Sequence, residues 1–337
     1  MYDVIIVGSG PAGLTAAIYT TRASLKTLVL AGVKWGGQLQ LTSLVENFPG
    51  FPEGIQGPDL MSNMRKQAEH HGAEIVEKEF THGDFSKSPF KINSEDGTVY
   101  ESKAVILASG ADARWLGVPG EEEKIGRGVS SCATCDAAFF KEKNVIVVGG
   151  GDSAMEEALV LSKSSKNVFL VHRKDEFRAS QIMQDRVKET KNIHIVFNSQ
   201  ITEVGGEFKV QSVKIKTFPS DKSLLSISLE ELDKIALGGV FSAKNLSKDE
   251  TSILWELPID GVFVAIGHIP NTKAFAGIEL DAQGFIKVQN HFHTNVPGVF
   301  VAGDVHDRQY KQAITAAGFG SAAALEVEKW LGMQKAS

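Results

Sequence analysis

Short, wholly apolar runs recur along the chain, each followed by a glycine turn and then by residues of helical period. Val4-Ile5-Ile6-Val7 is such a run, of strand length and without polar alternation, as expected for a parallel strand covered on both faces. Gly8-Ser9-Gly10-Pro11-Ala12-Gly13 follows, a helix begins at Leu14-Thr15-Ala16-Ala17-Ile18-Tyr19, and Thr27-Leu28-Val29-Leu30 is a second apolar run. The pattern returns further on. Asn144-Val145-Ile146-Val147-Val148 predicts a strand, Gly149-Gly150-Gly151-Asp152-Ser153-Ala154 a turn, Met155 to Leu159 a helix, and Val168-Phe169-Leu170-Val171 another strand. Between the repeats, residues 59 to 71 read as helix. Residues 75 to 107 read as strands with turns at Gly83 and Asp96-Gly97, and Val105-Ile106-Leu107-Ala108 as a buried strand ended by Ser109-Gly110. Strand-like patterns resume to Ile215. Near the end, Gly298 to Ala302 predicts a strand running into a Gly303-Asp304 turn, before the Ala/Gly-rich helix that Ala313 opens.

Strand, glycine turn, helix and strand within about thirty residues is the full context of a dinucleotide fingerprint, and it occurs twice, about 140 residues apart. In the first copy Gly8 permits the tight turn, Gly10 lets the backbone approach a pyrophosphate, and Gly13 lets helix and strand pack closely. The helix N-terminus, with unpaired N–H groups and the positive end of the helix dipole, favours the phosphates. In the second copy Ala154 stands at the third glycine position. The fold class is therefore α/β, with two Rossmann-like nucleotide-binding domains. The strands that should carry a ribose-binding acid at their ends differ. The first ends Ala31-Gly32, so its ribose must be held otherwise. The second ends His172-Arg173-Lys174-Asp175-Glu176-Phe177-Arg178. Carboxylates there would repel a 2′-phosphate, whereas guanidinium groups bind one through charge-assisted hydrogen bonds, so NADP is favoured over NAD. The plainer reading is a basic turn balanced by Asp175 and Glu176.

The only two cysteines in 337 residues are Cys132 and Cys135, within Ser131-Cys132-Ala133-Thr134-Cys135-Asp136. With no other cysteine there is no disulfide framework to build, so the pair reads as a redox dithiol. The competing reading, a zinc site, needs four ligands, and this motif supplies two with His172 the nearest histidine in sequence. A hydrophobic content of 42% and a net charge of −6 describe a globular protein and argue against a nucleic-acid or anionic-membrane partner. No stretch approaches the roughly 18 to 20 apolar residues that span a bilayer. The start, Met1-Tyr2-Asp3, lacks the basic region of a signal peptide, and with so few cysteines the cytoplasm is the expected compartment. Gly36-Gly37-Gln38-Leu39 and Asn47-Phe48-Pro49-Gly50-Phe51-Pro52 read as loops, with plain connecting turns an equal alternative. Gly117-Val118-Pro119-Gly120 has linker character, and Glu121-Glu122-Glu123 after it reads as a solvated face. Asp304 follows a buried strand, where an acid bonds a polyol hydroxyl or simply caps a turn.

Taken together, Gly8 to Gly13, Gly36-Gly37-Gln38, Cys132-Ala133-Thr134-Cys135-Asp136, Gly149 to Ala154, His172 to Arg178, and Gly303-Asp304 with Gln312-Ala313 resemble the low-molecular-weight thioredoxin reductases over nearly the whole chain. The resemblance implies an FAD domain in two pieces, 1–114 and 260–337, with an NADPH domain carrying the dithiol, 115–259, inserted between them. It implies FAD contacts at Gly8, Gly10, Pro11, Ala12, Gly13, Ala31, Gly32, Gly36, Gly37, Gln38, Leu39, Asn47, Ala108, Gly110, Gly303, Asp304, Gln312 and Ala313. NADPH contacts are implied at Gly149, Gly151, Asp152, Ser153, Ala154, His172, Arg173, Lys174 and Arg178. In such enzymes NADPH reduces the flavin, which opens the disulfide. The second cysteine, Cys135, faces the flavin, Cys132 attacks the disulfide of thioredoxin, and Asp136 is the general acid, a role compatible with helix capping. A homodimer is implied, as is a rotation of the NADPH domain about hinges near 117–120 and 261–267.

Three departures stand out. Ala137 replaces a glycine, Lys311 replaces an arginine, and roughly Phe218 to Trp255 extends what is usually a short hairpin turn. Within that extra stretch, Ser228 and Glu231 form a capping box ahead of Leu229, Leu232, Ile235 and Ala236, predicting a short amphipathic helix ended by Gly238. Competing functions are a reductase of a peroxiredoxin or glutaredoxin-like protein, a dithiol oxidase, against which Arg173 and Arg178 count, and a flavin-bound redox sensor.

Overall fold

The computed structural model describes residues 1–42, 44–220 and 244–336. The chain divides into two units, Met1–Asp112 with His268–Ser337, and Ala113–Gly267. The two crossing segments, Ala111–Ala113 and His268–Pro270, pair as a two-stranded sheet.

The first unit is built on a seven-stranded sheet. Its parallel part runs Glu74–Val76, Thr27–Leu30, Tyr2–Val7, Val99–Leu107, with Val299–Val301 alongside the last. The long strand Val99–Leu107 changes partner midway. Its first half pairs antiparallel with Phe90–Ser94, which pairs with Phe80–Asp84, and its second half pairs parallel with Val299–Val301. The expected turn at Gly83 is corrected here. Gly83 lies inside the Phe80–Asp84 strand, opposite Ile92, and the chain reverses after it. Asp96-Gly97 is a turn, with Gly97 at φ +80°. Helix α1, Pro11–Arg22, packs against the sheet, against the long C-terminal helix and against α2, Gly57–His70. Val4, Ile5 and Ile6 are wholly buried, as the unbroken apolar run requires.

The second unit holds a five-stranded parallel sheet in the order Val129–Ser130, Gly261–Val264, Asn144–Val148, Asn167–Val171, Ile193–Val196. Helix α3, Ala133–Asp136, packs on α4, Asp152–Ser162, and α5, Gln181–Glu189, flanks α4. Phe169 and Phe263 are wholly buried, each contributing roughly 1.5–3 kcal/mol to the core. A four-stranded antiparallel sheet completes the unit, in the order Ser199–Gly205, Ser212–Thr217, Ile253–Pro258, Lys244–Lys248. The final helix of the chain, α6, is Ala313–Ala336.

Five expectations change. The boundary expected at 259 moves to Gly267, because Gly261–Val264 is a buried central strand between Val129–Ser130 and Asn144–Val148. For the same reason the 261–267 hinge loses all but its end, where Gly267 has φ +104°. The 117–120 segment is not a loose linker either. The Glu121 carboxylate accepts the Leu116 and Gly117 N–H groups at 2.8 and 2.7 Å, and the Val204 N–H donates to the Pro119 carbonyl. Glu121 is therefore buried rather than part of a solvated face, which leaves Glu122 and Glu123 exposed. Lastly, Trp255 belongs to the sheet. Ser212–Thr217 pairs residue for residue with Ile253–Pro258, and Trp255 Nε1 donates to Thr217 Oγ1 at 2.9 Å, so the extra stretch ends before Ile253. The helix expected around Ser228 to Gly238 lies outside the described residues.

Candidate active site

Cys132 and Cys135 form a disulfide with their Cα atoms 5.3 Å apart. The pairing follows from local geometry. Cys132 is extended and occupies the N-cap of α3, and one turn of helix brings Cys135 back over it. Cys132 Sγ accepts the Cys135 N–H at 3.2 Å, and Ser130 Oγ accepts the Cys132 N–H at 3.0 Å. Asp136 ends the turn, half-buried. Loss of solvent raises its pKa, against the opposing effect of a hydrogen bond from Ser130. Ala137 follows at φ −54°, a conformation in which a side chain in place of glycine is unstrained. No group of three or more metal-binding side chains occurs among the described residues, and His172 stands against Gly150 rather than beside the thiols. Sequence reasoning missed Glu157 of α4, whose Oε2 accepts the Ala133 N–H at 2.7 Å. Its spacing from the cysteines gave no signal, because only tertiary packing brings α4 to α3.

In the first unit the expected cofactor residues converge. Gly8 has φ +109°, and a Cβ there would collide with the Ala108 carbonyl. One at Gly13 would collide with the Gly8 carbonyl, and both positions therefore require glycine. Gly10 differs: a Cβ there would meet nothing within 4 Å, so the turn leaves open space before Pro11 and Ala12 at the start of α1. Ser9, which sequence reasoning passed over, ties this turn to the next loop. Its buried hydroxyl donates to the Ala31 carbonyl at 2.7 Å and accepts the Gly36 N–H at 2.9 Å. Gly32, Gly36 and Gly37 all have positive φ, and Gly37 lies against Gly10. Gln38-Leu39 belongs to a short 3-10 turn, Gly37–Leu41, rather than to an irregular loop, and Gln38 Nε2 donates to the Ala111 carbonyl. Asn47 Nδ2 donates to Gln312 Oε1 at 3.2 Å, joining residues 265 apart in sequence. Ala108 is buried, and Gly110 turns at φ +72°. Gly303 approaches Ala12, and Ala313 begins α6.

Among the described residues, Asp304 Oδ1 is buried without a hydrogen-bond partner. Burial, then the Asp307 carboxylate, pushes its pKa up to about 6, with Lys311 opposing. His306 Nε2 is likewise buried without a partner, and burial lowers its pKa to about 4. A glycine cradle with open space, a bare helix N-terminus and orphaned polar atoms together fit a dinucleotide with a polyol arm.

The second unit repeats the cradle. A Cβ at Gly149 would strike the Ala265 carbonyl and Ala154 Cβ, whereas Gly151, the N-cap of α4, faces open space. Asp152 Oδ1 accepts the Ser180 N–H and hydroxyl at 2.9 and 2.7 Å, so this carboxylate fastens the start of α5, while Ser153 is exposed beside it. The Arg178 N–H donates to the Gly150 carbonyl at 2.7 Å, which brings the basic segment to the glycine turn. Arg173, Lys174 and Arg178 are exposed, and among the described residues neither Asp175 nor Glu176 forms an ion pair with them. His172 is buried, and among the described residues its Nε2 has no hydrogen-bond partner. Burial first, and then Arg178 and Arg173, lower its pKa against the opposing backbone hydrogen bonds of Glu176 and Gly149. These residues fit a nucleotide bearing an extra phosphate.

No helix among the described residues is long and apolar enough to cross a membrane. The family profile of the pyridine nucleotide-disulphide oxidoreductases matches residues 2–320. A thioredoxin reductase of Mycolicibacterium smegmatis is 45% identical, over 99% of this chain and 98% of its own length. One of Streptomyces coelicolor is 46% identical, over 98% and 94%. Among solved structures, thioredoxin reductase from Giardia duodenalis superimposes with a TM-score of 0.83 at 40% identity, covering 98% of this chain and 99% of its own. That from Streptococcus pyogenes does so with 0.84 at 35% identity, covering 99% of each. With its Cys132–Cys135 disulfide and two glycine turns at helix starts, the chain belongs to the pyridine nucleotide-disulphide oxidoreductase family, as one of its thioredoxin reductases, which use a flavin and a pyridine nucleotide.

Proposed function

We propose that the flavin is FAD, that the nucleotide is NADPH, and that the protein disulfide reduced is that of thioredoxin, by a homodimer working in the cytoplasm. The observation that carries this reading is the disulfide of α3, with a half-buried acid at its end, on the same unit as the glycine turn and its exposed cations. FAD would be held by the Gly8 to Gly13 cradle, the 31–39 loop, Asn47 with Gln312, and Asp304. NADPH would be held by Gly149 to Ala154, with Arg173, Lys174 and Arg178 on the 2′-phosphate. When bound, the flavin supplies the two electrons that open Cys132–Cys135.

The chain's own residues do the rest. The Cys135 N–H already donated to Cys132 Sγ stabilises that sulfur more strongly once it is a thiolate. The Cys132 thiolate attacks the thioredoxin disulfide, forming a mixed disulfide and releasing one thioredoxin thiolate. Asp136, holding its proton beyond the ordinary carboxyl range, protonates that thiolate. The Asp136 carboxylate then takes the Cys135 thiol proton. Cys135 attacks Cys132 Sγ, restores the intramolecular disulfide, and releases the second thioredoxin thiolate.

The test is direct. Anaerobic mixing of the holoenzyme with NADPH should bleach the flavin, and NADH should do so far more slowly. Oxidised thioredoxin should then restore the flavin colour, with a peroxiredoxin or oxygen much slower. Equal bleaching by NADH, or no reoxidation by thioredoxin, would overturn the reading. Sedimentation of the holoenzyme reads the dimer.

A further inference from the structure

The strand Thr27–Leu30 ends in Ala31-Gly32, with no acid of its own for a ribose. A carboxylate stands there all the same, brought by the neighbouring strand. Glu74–Val76 pairs parallel with Thr27–Leu30, Leu30 opposite Val76, so both strands end at the same edge of the sheet. The residues after Val76 then fold over the exit of the first strand. The Val76 carbonyl accepts the Ala31 N–H at 2.9 Å, and the Lys78 carbonyl accepts the Gly32 N–H at 3.2 Å. Glu79 Oε2 accepts the Val33 N–H at 3.3 Å. A Cβ on Gly32 would lie 3.0 Å from that same oxygen, so the carboxylate occupies the place beside the strand end that a side chain at Gly32 would reach. Ser9 ties this exit to the first glycine turn, through the Ala31 carbonyl and the Gly36 N–H.

The charged neighbours of Glu79 in sequence are engaged elsewhere. Glu77 pairs with Arg65, and Lys78 pairs with Asp96 at 2.6 Å. Among the described residues no cation pairs with Glu79, which is exposed. An ionised carboxylate has about four acceptor sites, of which the Val33 N–H takes one. Such a group accepts hydroxyl hydrogens and repels a phosphate, as the acid at this place in a dinucleotide fold does. We infer that Glu79 binds the adenosine ribose of the dinucleotide at the first glycine turn, its carboxylate accepting the ribose 2′- and 3′-hydroxyls in place of the acid missing from the strand end. The inference rests on that dinucleotide being FAD.

The test uses the full-length protein stripped of flavin, titrated with FAD and with an FAD analogue lacking both hydroxyls of the adenosine ribose, and followed by flavin fluorescence. The unaltered protein should bind the analogue roughly ten- to hundredfold more weakly than FAD. Glu79→Gln, whose amide oxygen still accepts the Val33 N–H, should bind FAD about tenfold more weakly and the analogue no worse than the unaltered protein does. Thermal unfolding of the flavin-free variant should stay close to that of the unaltered protein. Equal weakening for both ligands would show that Glu79 only fastens the loop and would overturn the inference, as would undiminished FAD binding by the variant. Should Glu79→Gln fold poorly, Glu79→Asp, which draws the carboxylate back by one methylene, is titrated in the same way. Weakening confined to FAD supports the inference there, and any other result overturns it. Failure of the unaltered protein to bind FAD would instead defeat the reading of the first glycine turn as an FAD site.

Discussion

Asp136 and Asp304 are both raised chiefly by burial, yet they have different consequences. Asp136 lies at the end of the dithiol turn, where the proposed exchange calls for an acid. Asp136→Asn should slow thioredoxin reduction by roughly 10²–10⁴-fold, while NADPH still bleaches the flavin, as the two half-reactions measured separately would show. Asp304 lies on the other unit, and among the described residues its buried Oδ1 has no hydrogen-bond partner. Its folded pKa of about 6 lies above the unfolded value of 3.8, so the folded chain binds more protons between those pH values. In the flavin-free protein, stability should therefore fall as pH rises through that window and level off above it. Asp304→Asn should make the flavin-free protein more stable by about 2–3 kcal/mol at pH 8 and leave it unchanged near pH 3. Urea unfolding at the two pH values checks this, and the same variant should retain less flavin. The Cys132–Cys135 pairing was legible because both residues lie within one short motif. The Glu157 contact with the Ala133 N–H and the Ser9 bridge between Ala31 and Gly36 were not, because each depends on a neighbour that folding supplies.

At the scale of the element, the two glycine turns separate positions where a side chain would strike the chain from positions that face open space. Gly13→Ala would drive a methyl into the Gly8 carbonyl and should destabilise the flavin-free protein by about 1–3 kcal/mol. Gly10→Ala meets open space at an ordinary φ of −66°, so it should leave thermal unfolding of the flavin-free protein almost unchanged and still weaken flavin retention. The contrast isolates close approach to a ligand from close packing of the chain. On the second turn, exchanging both Arg173 and Arg178 for Ala should lower the preference for NADPH over NADH roughly tenfold to hundredfold, read from kcat/KM with each nucleotide. The apolar strands and the helices after the glycine turns were predictable from periodicity alone. Gly83 was misread because a glycine inside a strand and one in a turn look alike without knowledge of the partner strand. The linker at 117–120 was misread because Glu121 looks solvated in a run of three acids, until the Leu116 and Gly117 amides turn towards it.

Considered whole, the molecule is two units with separate cores, one around Phe300 and α1, the other around Phe169, Phe263 and Trp255. Each buries its own parallel sheet. Residues 113–267 alone should therefore fold cooperatively, bind NADPH without flavin, and form the Cys132–Cys135 disulfide. Calorimetry and an NADPH titration of that fragment check this, and an unfolded fragment would show that the core needs the other unit. By itself the sequence determined the two dinucleotide turns, the redox pair, the basic segment and the α/β class, since each is written in residues near one another along the chain. Tertiary structure alone decided that Gly261–Val264 belongs to the middle unit, that Asn47 meets Gln312, and that Glu157 stands beside the dithiol. Those facts depend on strand order and helix packing between segments far apart in sequence, which local periodicity does not encode.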